Sequence, residues 1–310
     1  MKTKQPTNRR AIAVGVGLAA AAAFANADPI ASFDYTQEFE WIEDIVPASV
    51  NRIGATTGVS DVDGWTKLSW GTESNDFDEI SSLVINPEPG DSTIPSNELV
   101  DENVTVSEDI NVLPFADGPS VTHNNFVITG PALQSTEAQD YIVLTPNPGD
   151  GNPDQIQEVF FNIQFEETIN SLSGDDCPSV ETAEGCGDIF VLTGGLLGTP
   201  ATVNTDEVAF LLDSFTRDEY RYDVFFREKG DSLFALTDGG PNDPAYPDAC
   251  AAAGAPATCI GFVTPENEST TFQFEFAVLA TEQVPAPASL FLLGGGLFSL
   301  AWLRRRRTAA

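Results

Sequence analysis

Apolar and polar residues alternate along much of this 310-residue chain with the two-residue period of a β-strand. From Phe161 to Phe165 the order is Phe-Asn-Ile-Gln-Phe, and from Thr271 to Val278 it is Thr-Phe-Gln-Phe-Glu-Phe-Ala-Val. Each run puts its phenylalanines on one face and its polar residues on the other, as a strand with one side on a core requires. Shorter apolar runs predict further strands at 83–85, 126–128, 141–144, 189–192, 208–212 and 222–226. Clusters of proline, glycine, asparagine and aspartate separate them, as in the segment from Pro146 to Pro153. No amphipathic helix of useful length is predicted between residues 28 and 283. Many short strands joined by turns predict an all-β body, a β-sandwich of jelly-roll-like type, over 28–283.

The two ends break this pattern. At the start, Lys2, Lys4, Arg9 and Arg10 precede an apolar run from Ala11 to Phe24, and Ala25-Asn26-Ala27 supplies small residues for cleavage. That layout predicts a signal peptide over 1–27, removed by signal peptidase to leave Asp28 first. The run falls short of the roughly 20 residues of a bilayer span. Arg9-Arg10 hints at the twin-arginine route, but Ala11-Ile12-Ala13 matches it poorly, which favours the general secretory route. At the other end, Val284, Pro285, Ala286 and Pro287 open an apolar stretch at 288–303, closed by Arg304, Arg305, Arg306 and Arg307. The prolines keep the entry extended. Four arginines resist translocation, so 288–303 is expected to span the membrane with its tail in the cytoplasm before processing.

An entry of Pro-x-Pro, a Leu/Gly-rich helix and an arginine cluster resembles the PEP-CTERM sorting segment, here over 284–307. Ala286 departs from the usual glutamate. The resemblance implies handling by an exosortase, a membrane transpeptidase-like enzyme, in a Gram-negative cell that makes exopolysaccharide. An inner-membrane intermediate would then give way to protein at the cell surface or in the extracellular matrix. The competing reading of this segment is a plain C-terminal anchor.

Charge narrows the class. All 47 acidic residues lie between the two tags, with only Arg52, Lys67, Arg217, Arg221, Arg227 and Lys229 to oppose them, so the processed chain carries a formal charge of −41. Nucleic acid is excluded as a partner, because its binding depends on lysine and arginine neutralising phosphates. So acidic a surface stays hydrated, repels its own kind, and gains from salt or divalent cations. High charge can also prevent collapse. Against that stand 42% hydrophobic residues and 21 phenylalanines, enough for a folded core.

Cys177 and Cys186 are nine apart, and so are Cys250 and Cys259. Export places them in an oxidising compartment. Four cysteines allow three connectivities, and the equal spacings favour Cys177–Cys186 with Cys250–Cys259. Zinc ligation lacks both the close spacing and the histidines it needs.

The chain's one histidine, His123, stands in Thr122-His123-Asn124-Asn125. With the tail, this resembles the THxN family of PEP-CTERM proteins, named for that motif. Similar features recur at Ser69-Trp70-Gly71, Ser81-Ser82-Leu83, Glu167-Thr168-Ile169-Asn170 and from Cys259 to Glu266, so the resemblance covers most of the body. It carries no established activity.

Two readings of His123 compete. As a catalytic base or metal ligand it would need a nucleophile or further ligands, and no nucleophile-elbow motif is present. As a structural residue, it would join Thr122 and Asn125 in hydrogen-bonding a turn between strands. The second is preferred. Glycoside hydrolysis needs a defined pair of carboxylates, which cannot be picked among 47 acids. Calcium is the candidate cofactor: Asp61 and Asp63, and Asp150, Asn152 and Asp154, offer clustered oxygens. Neither cluster satisfies an EF-hand loop, and a solvated acidic loop is the preferred reading of each. Trp41, Trp65, Trp70, Tyr220, Tyr222 and Tyr246 would serve sugar stacking or a core. An exposed, coplanar row of them would favour carbohydrate binding, and a deep acidic cleft at His123 would favour an enzyme. The expected function is that of a noncatalytic surface or matrix protein associated with exopolysaccharide and biofilm. The alternative is a carbohydrate-binding or glycan-hydrolysing surface protein.

Overall fold

A computed structural model describes residues 28–283 apart from 43–44, 57–63, 74–79, 87–97, 150–154, 169–175, 183–184, 195–200, 205–206, 231–232 and 240–243. The expected signal peptide at 1–27, the expected membrane helix at 288–303, and the candidate calcium ligands Asp61, Asp63, Asp150, Asn152 and Asp154 all lie outside the described residues. Among the described residues no helix is long and apolar enough to cross a membrane.

Strands dominate, as the two-residue period requires. In chain order they are β1 (Ser32–Trp41), β2 (Asn51–Thr56), β3 (Gly64–Trp70), β4 (Thr72–Glu73), β5 (Ser81–Asn86), β6 (Glu98–Ser107), β7 (Ala116–Asn125), β8 (Ile128–Thr129), β9 (Ser135–Asn147) and β10 (Gln155–Glu166). There follow β11 (Glu181–Thr182), β12 (Gly185–Cys186), β13 (Asp188–Leu192), β14 (Ala201–Val203), β15 (Glu207–Arg217), β16 (Tyr220–Glu228) and β17 (Phe234–Ala235). A single helical turn, α1 (Ala249–Ala252), precedes β18 (Ile260–Thr264) and β19 (Glu268–Glu282).

Fifteen strands join in one large sheet, antiparallel except for a short parallel pairing of β6 with β19. Its path runs β14-β15-β16-β19-β7-β5-β3-β1-β9-β10-β13-β18-β17. At the middle of this path the β3–β1 pairing shrinks to Trp41 opposite Trp65. Strand β6 pairs with both β1 and β19, closing a circuit through β7, β5 and β3. The sheet therefore turns back, and its two halves face each other across a common core. Phe161 on β10 meets Phe226 on β16 with ring centroids 5.6 Å apart, Tyr35 on β1 meets Phe276 on β19 at 4.7 Å, and Phe262 on β18 meets Phe272 on β19 at 3.8 Å. Phe161, Phe272 and Phe276 come from the alternating runs, whose apolar faces remove the area from water that holds the halves together.

Seven of the eight expected strands sit in β5, β9, β10, β13, β15, β16 and β19. The expected strand at 126–128 is misplaced: Phe126 and Val127 lie past the end of β7, and only Ile128 enters a strand, the short β8. The strand proper is the preceding Ala116–Asn125, whose central residues are largely polar and so lack an apolar signature.

Both disulfides form, Cys177 with Cys186 and Cys250 with Cys259, with Cα–Cα distances of 5.6 and 5.7 Å. The second closes a satellite core of Ile189, Val191, Phe234, Leu236 and Tyr246 around α1. Gly261 is required where β18 meets β13, because a Cβ there would collide with the carbonyl oxygen of Phe190.

Candidate functional site

The tetrad Thr122-His123-Asn124-Asn125 lies in strand β7; of the side chains expected to hydrogen-bond a turn between strands, Asn125 does so at the β18–β19 connection, whereas Thr122 meets Thr271 within strand β19. Strand alternation explains the tetrad's composition. Thr122 and Asn124 point to one face, where Thr122 Oγ1 lies 2.8 Å from Thr271 Oγ1. On that face Asn124 Nδ2 donates to Ser82 Oγ at 3.0 Å, and Asn124 Oδ1 accepts from Ser269 Oγ at 2.7 Å. These bonds tie β7 to its neighbours β5 and β19. His123 and Asn125 point the other way and are fully buried.

Aromatic rings fix the imidazole. Trp70, the last residue of β3, stacks on it at an interplanar angle of 16° and 5.8 Å, while Phe165 and Phe190 meet it edge-on. His123 Nδ1 lies 2.8 Å from Thr264 Oγ1. Its Nε2 lies 4.0 Å from Asp188 Oδ2, and neither of those atoms has a hydrogen-bond partner among the described residues. Burial pushes the imidazole pKa down to about 3, so the ring is neutral at physiological pH.

Three carboxylates gather beside it. Glu167 follows the end of β10, Asp188 begins β13, and Glu266 lies between β18 and β19; one oxygen from each lies within 4.8 Å of the others. The pairing register brings them together: Glu166 sits opposite Ile189, and Asp188 opposite Thr264. Asp188 and Glu266 are buried, and Glu167 is partly exposed. Trp70 Nε1 donates to Glu167 Oε2 at 3.1 Å, and Thr168 N donates to Asp188 Oδ1 at 3.0 Å. Burial pushes Glu167 up to about 8; the Trp70 hydrogen bond opposes the rise, and the charges of Glu266 and Glu166 add to it. Asp188 rises well above the usual carboxylate range, first by burial and then by the charge of Glu167.

Asn125 completes the arrangement, donating from Nδ2 to the carbonyls of Thr264 at 3.3 Å and Pro265 at 3.2 Å. Ser81 Oγ donates to Phe126 O at 3.0 Å and accepts from Phe126 N at 3.1 Å, fixing the exit of β7. Of the four other segments quoted with the tetrad, three supply neighbours of His123 (Trp70, Leu83 and Thr264), and the fourth supplies Glu167 beside Asp188. Two of the three carboxylates, Glu167 and Glu266, stand in those segments. Asp188 was missed, because one aspartate before an apolar run has no distinguishing signal among 47 acids.

His123, Asp188 and Glu266 are buried inside an aromatic core, and Glu167 alone of the cluster is partly exposed. The six candidate stacking aromatics make no exposed row: Trp41, Trp70, Tyr220, Tyr222 and Tyr246 are buried, and the partly buried Trp65 lies under Arg52 at 5.1 Å.

No curated protein matches the chain. Residues 283–307 match the PEP-CTERM protein-sorting motif, and this motif marks the chain as an exported protein sorted by an exosortase.

Proposed function

We propose that this protein is a noncatalytic constituent of the cell surface or extracellular matrix of a Gram-negative bacterium, associated with exopolysaccharide. In this reading the body is a β-sandwich of jelly-roll-like type. It is delivered by a signal peptide over 1–27 and held in the membrane by 288–303 until an exosortase acts. The observation that carries the reading is the sorting motif at 283–307, joined directly to a disulfide-bonded, strongly acidic β body. Two features of that body support the noncatalytic part. Among the described residues, the acid–base cluster at His123 is largely buried, and five of the six candidate stacking aromatics pack in the core.

Fractionation of the native host tests the proposal. The processed protein should co-purify with extracellular polysaccharide, be released when that polysaccharide is degraded, and remain with the inner membrane in an exosortase-deficient strain. An unchanged distribution in that strain would refute the sorting route. Surface protein that ignores polysaccharide degradation would refute the matrix association.

A further inference from the structure

His123 and three other side chains share one arrangement, in which one polar atom is anchored and the other is bare. Asp188 Oδ1 accepts from Thr168 N at 3.0 Å, and Glu167 Oε2 accepts from Trp70 Nε1 at 3.1 Å. His123 Nδ1 meets Thr264 Oγ1 at 2.8 Å, and Asn125 Nδ2 is held by two backbone carbonyls. The remaining atoms, Asp188 Oδ2, Glu167 Oε1, His123 Nε2 and Asn125 Oδ1, are buried without a hydrogen-bond partner among the described residues. Native interiors leave only scattered atoms of this kind unmatched. Three of them, Asp188 Oδ2, Glu167 Oε1 and His123 Nε2, belong to one cluster of carboxylates and imidazole, and they point to a ligand that accepts electron pairs.

Distances agree for the three carboxylates: single oxygens of Glu167, Asp188 and Glu266 lie within 4.8 Å of one another, and His123 adjoins this group through Asp188, its Nε2 lying 4.0 Å from Asp188 Oδ2. Donors surrounding one cation at about 2.0–2.6 Å can stand no further apart than about 5 Å. The charges acting on Asp188 are those of Glu167, Glu266 and Glu166, all of one sign, and a divalent ion would offset them.

We propose that Glu167, Asp188 and Glu266, with His123 Nε2, bind one divalent metal ion as a closed structural centre joining the two facing halves of the sheet. His123 comes from β7 in one half; Glu167, just past the end of β10, and Asp188 on β13 come from the other; Glu266 sits on the connection that crosses between them. With the metal on Nε2, the imidazole proton resides on Nδ1 and is donated to Thr264 Oγ1, the outer hydrogen bond that orients a ligating histidine. Trp70 and Thr168 hold the outer oxygens of Glu167 and Asp188 in the same way. One imidazole among three carboxylates favours Mn²⁺ or Zn²⁺ over Ca²⁺, which takes oxygen donors. Burial of His123, Asp188 and Glu266 makes the centre structural, since a catalytic metal keeps an open position.

The test uses processed protein purified from its host. Elemental analysis should find about one equivalent of manganese or zinc per chain. Chelation should lower the melting temperature, and Mn²⁺ or Zn²⁺, added separately, should restore it where ionic-strength-matched sodium chloride does not. Asp188→Asn and Glu167→Gln should each weaken metal binding by about 100-fold or more, and Thr264→Val by about 10- to 100-fold. In metal-free protein the two carboxylate variants should melt no lower than the parent, because each removes like-charge repulsion. A variant of a distant buried carboxylate, Asp140→Asn, should keep the full response. Should Asp188→Asn not fold, Glu167→Gln decides, because its side chain is only partly buried. Calcium alone restoring stability would overturn the assignment of metal class. No stoichiometric metal, or a response surviving both carboxylate variants, would overturn the site itself and direct attention to the Asp61–Asp63 and Asp150–Asp154 clusters.

Discussion

Trp70 stacks on His123 at 5.8 Å and, through Nε1, donates to Glu167, so a single indole sets both the imidazole plane and one carboxylate. Replacing either partner should therefore be felt beyond its own volume. His123→Ala removes a fully buried ring from among Trp70, Phe165 and Phe190 and should lower stability by about 3 kcal/mol, in the range of large-to-small core changes. Equilibrium urea denaturation checks this. A shift below about 0.5 kcal/mol would mean that the ring is not packed as described.

Asp140 should make stability fall as pH rises. Its side chain points into the core from β9, in line with Ala138 and Ile142, and accepts from Gln37 Nε2 at 2.9 and 3.1 Å. Burial pushes its pKa up to about 7, with the Gln37 hydrogen bond opposing the rise. The unfolded chain ionises this group near 3.9. Between those values the folded state holds the proton that the unfolded state has released, so the penalty begins near pH 4 and is complete above about pH 7. It is on the order of 4 kcal/mol. In Asp140→Asn this slope should vanish, and the new amide can donate to Gln37 Oε1, which has no hydrogen-bond partner among the described residues. Denaturation of both proteins at pH 5 and pH 8 should show the variant gaining on the parent at the higher pH; parallel curves would contradict the assignment.

Arg227 should be the most consequential basic residue of the body. It bridges Glu207 and the buried Glu275 and lies over the Phe115 ring at 3.8 Å. Arg227→Met would leave Glu275 to Lys229 alone, whose ammonium lies 3.0 Å from it but is half exposed. Breaking a buried pair from one side costs about 3 kcal/mol or more. Adding Glu275→Gln should recover much of the loss, and a double-mutant cycle by urea denaturation measures it.

Each disulfide closes a loop of sequence separation nine. On the loop-entropy account each stabilises by about 2.5 kcal/mol. Paired Cys→Ala replacement at either bridge should cost that much, and non-reducing peptide mapping should give Cys177 with Cys186 and Cys250 with Cys259. Crossed peptides would refute the pairing.

Processing should leave Asp28 at the amino terminus and remove Arg304 to Arg307. Terminal mass spectrometry of surface protein from the host checks both ends. An intact arginine cluster in that fraction would rule out exosortase cleavage.

What the sequence by itself determined was whatever rests on local order. Alternating runs such as Phe161–Phe165 and Thr271–Val278 dictate strands, because side chains on successive residues must take opposite faces. Two nine-residue cysteine spacings in an exported chain selected their own partners, since a short loop closes more readily than a long one. The tail declared its sorting signal through proline, an apolar run and arginine in order. Strand β7 escaped notice, because its inward residues include His123 and Asn125, whose polarity hid the core face. Only the tertiary structure brought Glu167, Asp188 and Glu266 to His123. They come from three separate segments, and their meeting depends on the register of β10, β13 and β18 and on the folding back of the sheet. Register is set by long-range packing of apolar faces, a property that no single segment of this chain contains.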